Sequence, residues 1–94
     1  MRFEWDEHKD RANRLKHGVS FEIARSVFDD PRHLSIQDRQ VSGEERWQTL
    51  GLVGGVVVLP VAHTHREEGD DEVIRIISAR KATNHERQCY EHGY

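Results

Sequence analysis

Two short apolar segments rich in β-branched residues constrain the fold of this chain more than any other feature. Residues 56–63 read Val-Val-Val-Leu-Pro-Val-Ala-His, and residues 73–79 read Val-Ile-Arg-Ile-Ile-Ser-Ala. Branching at Cβ favours strands, and a largely apolar run suits a strand buried in a sheet. The sequence therefore predicts a sheet that contains both segments. Because Pro60 has no N–H to donate to a neighbouring strand, we expect the first segment to lie at a sheet edge or to bulge there.

Two weaker patterns add strands to this sheet. Leu34 and Ile36 alternate with polar residues, which is the period of a half-buried strand. A further strand begins at residues 46–50, and the two glycines at 54–55 form a turn that would join it to the first apolar segment as a hairpin. The polar residues 38–44 are predicted to form a loop.

A helix is predicted close to the N-terminus. Asp6 is a favourable N-cap residue. Gly18 suits the left-handed conformation that ends many helices, so the helix is expected to run to about His17. Ala12 and Leu15 are three residues apart and share one face, which predicts that this is the apolar face of the helix.

Two further helices complete the predicted fold. Ser20 can cap a second helix that runs to about Phe28 and stops at residues 29–31, which read Asp-Asp-Pro. Thr83 and Glu86 have the spacing of a capping box, which predicts a short C-terminal helix. The predicted order is ααββββα. It describes an α+β fold with two N-terminal helices, a four-stranded and mainly antiparallel sheet, and a short C-terminal helix.

Composition restricts the class of protein. With 94 residues, of which 35% are hydrophobic, the chain is expected to form a single folded domain over residues 1–94. Its longest apolar run is far shorter than the roughly 20 residues of a membrane-spanning helix. The N-terminus is charged from Arg2 onward and lacks the apolar stretch of a secretory signal, so we expect a cytoplasmic protein with no membrane partner. Cys89 is the only cysteine, which excludes an intrachain disulfide.

Charge is unevenly distributed along the chain. The formal net charge is −3, yet five of the six residues at 67–72 are acidic. Without this segment, which is predicted to be an acidic loop, the remainder of the chain is net positive. A local basic surface is therefore compatible with the slightly acidic average.

Arg80 and Lys81 follow the 73–79 strand and precede the N-terminus of the predicted C-terminal helix. The planar fork of an arginine matches phosphate oxygens, and helix N-terminal N–H groups add partial positive charge. These residues predict an anion site. The alternative is that they are solvated, or pair with the acidic loop or with Glu86.

His63 is a candidate general acid or base, because histidine takes both protonation states near neutral pH. A single histidine at a strand end is also commonly structural. His63 and His65, together with acidic residues from 67–72, suggest a metal site as a weaker alternative. No third ligand motif occurs at a matching spacing, which argues against metal binding.

Other polar residues are placed to contact phosphate or a nucleotide. Lys16 and His17 close the first helix, where cations also interact favourably with the helix dipole. Arg46 and Gln48 lie on one face of their strand. Tyr90 in the C-terminal helix reaches a nucleotide or packs against the sheet, and packing is the more common outcome.

Five segments in a fixed order form a larger pattern. They are Phe-Glu-Trp-Asp at 3–6, Lys-His-Gly-Val-Ser-Phe-Glu at 16–22, Val-Phe-Asp-Asp-Pro at 27–31, Gly-Glu-Glu-Arg-Trp at 43–47, and Ile-Arg-Ile-Ile-Ser-Ala-Arg-Lys-Ala-Thr at 74–83. Glu-Arg at 86–87 and Tyr-Glu at 90–91 follow. Together these segments resemble the BrnT family of bacterial toxins over almost the whole chain.

The resemblance implies a compact RelE-like fold and a ribonuclease that arrests translation and growth. It also implies neutralisation by a BrnA-like antitoxin with a ribbon-helix-helix domain, with operator DNA contacted only through that antitoxin. RelE-like ribonucleases suggest attack by the RNA 2′-OH on the adjacent phosphate, without metal or cofactor. The acidic segment at 67–72 is longer and more acidic than the family pattern leads us to expect.

These expectations assign a role to each candidate residue. Arg75 and Arg80 are expected to stabilise phosphate charge, Lys81 to position the phosphate, and His63 to transfer a proton. Possible RNA contacts are Lys16, His17, Arg46, Arg66 and Tyr90. Two alternatives are a non-catalytic partner that binds the antitoxin and co-regulates its own operon, and a metal-dependent nuclease that uses His63, His65 and the acidic segment.

Overall fold

The computed structural model describes residues 1–93, apart from the side chains of Arg39 and Val41. In this part of the chain it contains five strands, three α-helices and one 3₁₀ helix. The strands are β1 (Arg2–Glu4), β2 (Leu34–Val41), β3 (Glu44–Val53), β4 (Val57–Glu68) and β5 (Asp71–Ala79). The helices are α1 (Glu7–His17), α2 (Phe21–Ala24), the 3₁₀ helix (Arg25–Asp29) and α3 (Asn84–His92).

The five strands form one sheet in the order β1-β5-β4-β3-β2. β1 pairs parallel with β5, and all other pairs are antiparallel. The α+β class is confirmed, but the predicted four strands and the order ααββββα are wrong because β1 was missed. A strand of three residues is too short to show a period, and its partner lies near the other end of the chain.

The loop predicted at residues 38–44 is wrong. β2 continues to Val41 and β3 begins at Glu44, so that only Ser42 and Gly43 form the turn, with φ of 53° and 79°. Most side chains described in this part of the hairpin are exposed. Polar residues therefore occupy both faces, and the alternation that marks a half-buried strand is missing.

The acidic segment is a hairpin and not the predicted loop. β4 continues to Glu68 and β5 begins at Asp71, with Gly69 at a positive φ of 65° in the turn. Arg2 of the neighbouring strand β1 forms salt bridges with both Glu68 and Asp71. Pairing with cations offsets part of the repulsion between the carboxylates, so the strands extend into the acidic segment.

Pro60 lies in β4, a central strand, so its predicted position at a sheet edge is wrong. Its carbonyl accepts a hydrogen bond from the N–H of Arg80, just beyond the end of β5 at Ala79. Because the N and O atoms of one strand residue face the same neighbour, the missing N–H faces the place where β5 has already ended. The irregularity in the strand falls at Ala62 and His63, where the β4–β5 register shifts.

The predicted bounds and caps of α1 are confirmed. The side chain of Asp6 caps the N-terminus, the helix ends at His17, and Gly18 takes the left-handed conformation with φ of 72°. The predicted apolar face is wrong, because Ala12 is exposed and Leu15 is 91% exposed.

The buried face of α1 is polar. Asn13 donates through Nδ2 to the carbonyls of Val19 and Ala79, both at 2.8 Å, and its Oδ1 accepts from the N–H of Ala79. Asp10 accepts from the N–H of Phe21 at 2.9 Å. These side chains satisfy backbone groups at the end of β5 and at the start of α2, which a buried apolar face would leave unpaired.

Ser20 caps α2 as predicted, but the α-helix ends at Ala24 and continues as the 3₁₀ helix to Asp29. The 3₁₀ helix packs closely on β3 at Gly51. A Cβ atom at Gly51 would come within 2.5 Å of the Val27 Cβ and 2.7 Å of the Val27 carbonyl oxygen. The close approach therefore requires glycine at this position.

The short C-terminal helix and its capping box are confirmed. The Thr83 side chain accepts from the Glu86 N–H, and the Glu86 side chain accepts from the Thr83 N–H. The helix packs against β3 and β4. Across the described residues, no helix is both long enough and apolar enough to cross a membrane.

Candidate functional site

The two faces of the sheet are covered unequally. On one face, which we term the helix face, α2 and the 3₁₀ helix cover a core that includes Leu59, Val61 and Ile76, and α1 packs beside it against β5. On the other, which we term the open face, α3 covers a smaller cluster around Leu50 and Val58. Polar side chains occupy much of the open face beyond α3.

Alternation along the strands places two arginines on the open face. Arg46 is four residues from Leu50 in β3, so both side chains point to the same side. Arg75 lies between Ile74 and Ile76, which both enter the helix-face core. Its side chain therefore points to the opposite side, where it is exposed.

The strand register brings these arginines to either side of Thr64. Arg75 is the register partner of Thr64, and Trp47, which follows Arg46, is the partner of His63. Neighbouring strands lie about 4.8 Å apart, so the Cα atoms of Arg46 and Arg75 are separated by about 10 Å. Side chains of this length converge easily on one anionic group. We refer to Arg46 and Arg75 as the arginine pair.

The arginine pair has charged donors that the protein leaves without acceptors. Among the residues that the structure describes, neither guanidinium forms a salt bridge. The Arg46 Nε is shielded from solvent and has no hydrogen-bond partner in the described part of the chain. Shielded donors of this kind are costly without an acceptor, and phosphate oxygens match them in charge and geometry.

Arg80 is held by Glu86 in a bidentate ion pair with N–O distances of 2.7 and 2.8 Å. The hydrogen bonds from Arg80 lower the pKa of Glu86 to about 2, and the same contact raises the pKa of Arg80. The pairing with Glu86 that sequence analysis left open is thus present. Arg80 joins the end of β5 to the first turn of α3, and the neighbouring Lys81 is exposed.

A cleft of about 490 Å³ separates α3 from the outer strands of the open face. Its floor includes Gln48, which is two residues from Arg46 on the same side of β3, and its wall includes His85 of α3. The His85 ring is exposed and lies 3.7 Å from the Cys89 sulfur. An exposed histidine side chain is therefore present on the same face as the arginine pair.

His63 points to the other face. It is 3% exposed, and its ring packs against Phe28 at a centroid distance of 5.1 Å. Its Nε2 contacts the Thr49 hydroxyl at 2.7 Å and its Nδ1 the Thr64 carbonyl at 3.1 Å. Burial lowers the pKa of His63, which favours the neutral ring. The sheet lies between His63 and Arg75, so the structure does not bring them together.

The remaining predicted contacts are distributed over three places. Lys16 and His17 end α1 and lie on the helix face. Tyr90 is buried beneath α3, and its hydroxyl donates to Asp30 at 2.5 Å, which ties α3 to the end of the 3₁₀ helix. Arg66 lies on the open face, where it is described next.

Arg66 belongs to an ion-pair network beside the arginine pair. Its guanidinium contacts Glu4 at 2.5 Å and Glu68 at 2.9 Å, and Arg2 contacts the same Glu68. Hydrogen bonds with Glu68 and Glu4 raise the pKa of Arg66. Arg66 is two residues from Thr64, so both side chains lie on the same side of β4. The network around Arg66 therefore borders the arginine pair on the side opposite α3.

Sequence analysis assigned no role to Thr64 or His85. The position of Thr64 between two arginines depends on the register of three strands, which alternation alone does not give. The placement of His85 depends on which face α3 covers. A search for polar residues flanked by cations on both neighbouring strands would have found Thr64 once the register was known.

A metal site was the weaker alternative for His63 and His65. Within residues 1–93, no three His, Cys, Asp or Glu side chains that the structure describes come together as a group that could hold a metal ion. His65 instead lies 3.8 Å from Glu72 of the adjacent strand.

Comparison with known proteins gives a match to one family. The model of the family described as the ribonuclease toxin BrnT of type II toxin-antitoxin systems matches residues 5–86. The chain belongs to the BrnT family. The match includes the arginine pair, Arg80 and Lys81, and it ends within α3.

The BrnT assignment agrees with the fold. A 1.1 Å crystal structure of the Brucella abortus ribonuclease toxin BrnT superimposes with a TM-score of 0.62 and 22% sequence identity. The match covers 89% of this chain and 99% of the Brucella chain. A comparison with curated protein sequences finds no significant match. The chain therefore has a BrnT fold and belongs to a family of ribonuclease toxins.

Proposed function

We propose that this BrnT-family chain cleaves RNA at the open face of its sheet, as the toxin of a type II toxin-antitoxin system. The observation that carries the proposal is the arginine pair, with a shielded Arg46 Nε that lacks an acceptor in the described protein. The positive charge of Arg46, Arg75 and Lys81 attracts the phosphate backbone of a single RNA strand.

The chemistry we assign is attack by the RNA 2′-OH on its own 3′-phosphate. The 2′-oxygen forms a bond to phosphorus as its proton leaves, the bond from phosphorus to the 5′-oxygen of the next nucleotide breaks, and that oxygen takes up a proton. The products are a 2′,3′-cyclic phosphate and a free 5′-hydroxyl. Negative charge grows on the phosphoryl oxygens in the transition state, and fixed guanidinium groups stabilise it there. No step requires a metal ion or a cofactor.

We assign proton transfer to His85 and not to His63. His85 is the exposed ring in the open-face cleft, whereas the sheet separates His63 from the arginines. Arg80 keeps a supporting role, because its ion pair with Glu86 fixes the first turn of α3 and thereby the place of His85. Lys81, next to this turn, positions the phosphate as an exposed point charge.

The experiment is cleavage of a defined single-stranded RNA by purified protein in excess chelator, with detection of 2′,3′-cyclic phosphate ends. Arg75→Ala is expected to slow cleavage about 100-fold, since loss of one charged donor commonly has that effect. Arg11→Ala is the matched control, because Arg11 is exposed on α1 and changes net charge equally. His85→Ala, compared with His8→Ala of α1, tests proton transfer. Equal loss in Arg75→Ala and Arg11→Ala would contradict a site on the open face.

The partner we propose is a BrnA-like antitoxin with a ribbon-helix-helix domain, which contacts operator DNA itself. Covering the open face is the simplest way for it to block cleavage. Arg75→Ala should then weaken the complex more than Arg11→Ala does, as measured by calorimetry. If the free, folded protein leaves RNA intact with or without added metal and ribosomes, the chain acts only as the antitoxin's binding partner.

A further inference from the structure

A second cleft, of about 330 Å³, lies on the helix face and is not used by the proposed cleavage. Its volume is at the small end of the roughly 300–1,000 Å³ of clefts that bind small molecules. Aromatic and imidazole rings form much of its lining. The lining includes Phe28, His33, Ser35, Trp47, His63 and His65.

Few charged groups border this cleft. The terminal amine of Met1 forms a salt bridge with Asp71 at 3.2 Å, and Glu72 lies 3.8 Å from His65. The Met1 amine, which an anionic ligand would need, is thus already paired with a carboxylate. Flat aromatic side chains favour a neutral ring that can stack on them.

A chain of hydrogen bonds runs from the cleft into the core. Ser35 Oγ lies 2.8 Å from Thr49 Oγ1, and Thr49 Oγ1 lies 2.7 Å from His63 Nε2. His63 Nδ1 lies 3.1 Å from the carbonyl oxygen of Thr64. Ser35 is exposed, whereas Thr49 is fully buried.

The direction of each of these hydrogen bonds is determined by the innermost one, between His63 and the Thr64 carbonyl. A carbonyl oxygen only accepts, so the neutral His63 ring carries its hydrogen on Nδ1 and its Nε2 must accept from Thr49. Thr49 has one hydroxyl hydrogen, which this bond uses, so Thr49 must accept from Ser35. The Ser35 hydroxyl hydrogen is used as well. Ser35 Oγ can then only accept a hydrogen bond from a ligand in the cleft.

We infer that the helix-face cleft binds one nucleobase that carries an exocyclic amine. The aromatic lining stacks on the base, and the amine donates to Ser35 Oγ. Cytosine and adenine have this donor, whereas uracil and hypoxanthine present a carbonyl at the equivalent position, where it would face the lone pairs of Ser35. The inference rests on the proposed function for the source of the base, a single RNA strand that passes around edge strand β2. Its test uses free nucleosides, which require no cleavage.

The experiment is a fluorescence titration of the full chain carrying Trp5→Phe, which leaves Trp47 as the only tryptophan. Cytidine and uridine differ at the tested position, as do adenosine and inosine. Cytidine is expected to change Trp47 emission and to bind about 10-fold more tightly than uridine, with the same order for adenosine over inosine. Comparable affinities within both pairs would overturn the assigned hydrogen-bond direction. No change in emission with any nucleoside would overturn the site itself.

Two variants separate the hydrogen-bond chain from general packing. Ser35→Ala removes an exposed hydroxyl and should bring cytidine to the affinity of uridine. Thr49→Val removes the acceptor that fixes Ser35, so the serine can donate and the preference for cytidine should fall while stacking remains. An unchanged preference in Thr49→Val would overturn the argument even if that variant is less stable.

A third variant keeps the two proposals distinguishable. Arg75→Ala changes only the open face and should bind cytidine as the parent does while its cleavage of RNA is slowed. If the parent cleaves RNA but binds no nucleoside, the nucleobase site is contradicted and the proposed function is supported. If the parent binds cytidine selectively but leaves RNA intact, the nucleobase site is supported and the proposed ribonuclease activity is contradicted.

Discussion

The helix face and the open face of the sheet differ in how far their side chains are buried and in the charge that they expose. The helix face is covered by packed apolar residues and by buried polar groups that find partners in the backbone, as Asn13 does. The open face has a small apolar cluster under α3 and exposes cations next to it. Burial of apolar area dominates folding free energy. Stability is therefore expected to depend mainly on the helix face, and activity on the open face.

Among single substitutions, a change at Gly51 is expected to lower the free energy of unfolding most. Gly51→Ala forces a methyl group against the backbone and side chain of Val27, and overpacking of this kind costs about 3 kcal/mol in the free energy of unfolding. Urea denaturation measures the change. Val56→Ala is the control, since Val56 is 83% exposed and should alter stability little. If Gly51→Ala is as stable as the parent, the helix face is less tightly packed than described.

Asn13→Ala is expected to have the next largest effect on stability. It leaves two carbonyls and one N–H without the side chain that satisfies them, at a cost of about 2 kcal/mol. Leu15→Ala on the outer face of α1 should change stability by less than about 0.5 kcal/mol. A larger loss from Leu15→Ala than from Asn13→Ala would reverse our description of which face of α1 is buried.

Glu86→Gln should have a smaller effect that depends on pH. The pKa of Glu86 is lowered to about 2 by Arg80, so its contribution to stability is complete above the ordinary pKa near 4.5 and is lost as pH falls towards 2. Because Arg80 is partly exposed, we expect a contribution of about 1 kcal/mol at neutral pH. Thermal unfolding at pH 7 and pH 2.5 measures this. The variant and the parent should differ at pH 7 and approach each other at pH 2.5.

Arg75→Ala is expected to affect stability as little as the control variants do. Its side chain is exposed and lies outside both apolar clusters, so the free energy of unfolding should change by less than about 0.5 kcal/mol. The loss of cleavage expected from the same variant would then arise with the fold intact. A marked fall in the melting temperature would show that the open face also holds the fold together.

Local chemistry accounts for what could be predicted from the sequence. The caps at Asp6, Ser20 and Thr83 depend on residues within a few positions of each other, and the structure contains all three. The apolar strands were identifiable because burial on a sheet face requires their composition. In contrast, the inward face of α1 could not be predicted from hydrophobicity, since its buried side chains are polar and satisfy backbone groups outside the helix.

The candidate site was less predictable than the fold for a related reason. Arg75 was identified from its strand, but the side of the sheet on which a residue lies depends on register and on which helices cover that side. His63 and Arg75 belong to neighbouring strands and nevertheless point to opposite faces. A single sequence shows the chemical type of each residue, but it does not show which face of the sheet the helices cover.

The parallel pairing of β1 with β5 has a consequence for synthesis of the chain. Arg2 has Val73 as its register partner, so β1 cannot pair until β5, which follows all the other strands of the sheet in the chain, has been synthesised. Residues on β3, β4 and β5 together form the open face. The nascent chain therefore cannot assemble this surface until β5 has been synthesised, so an activity that depends on the open face would begin only after that point.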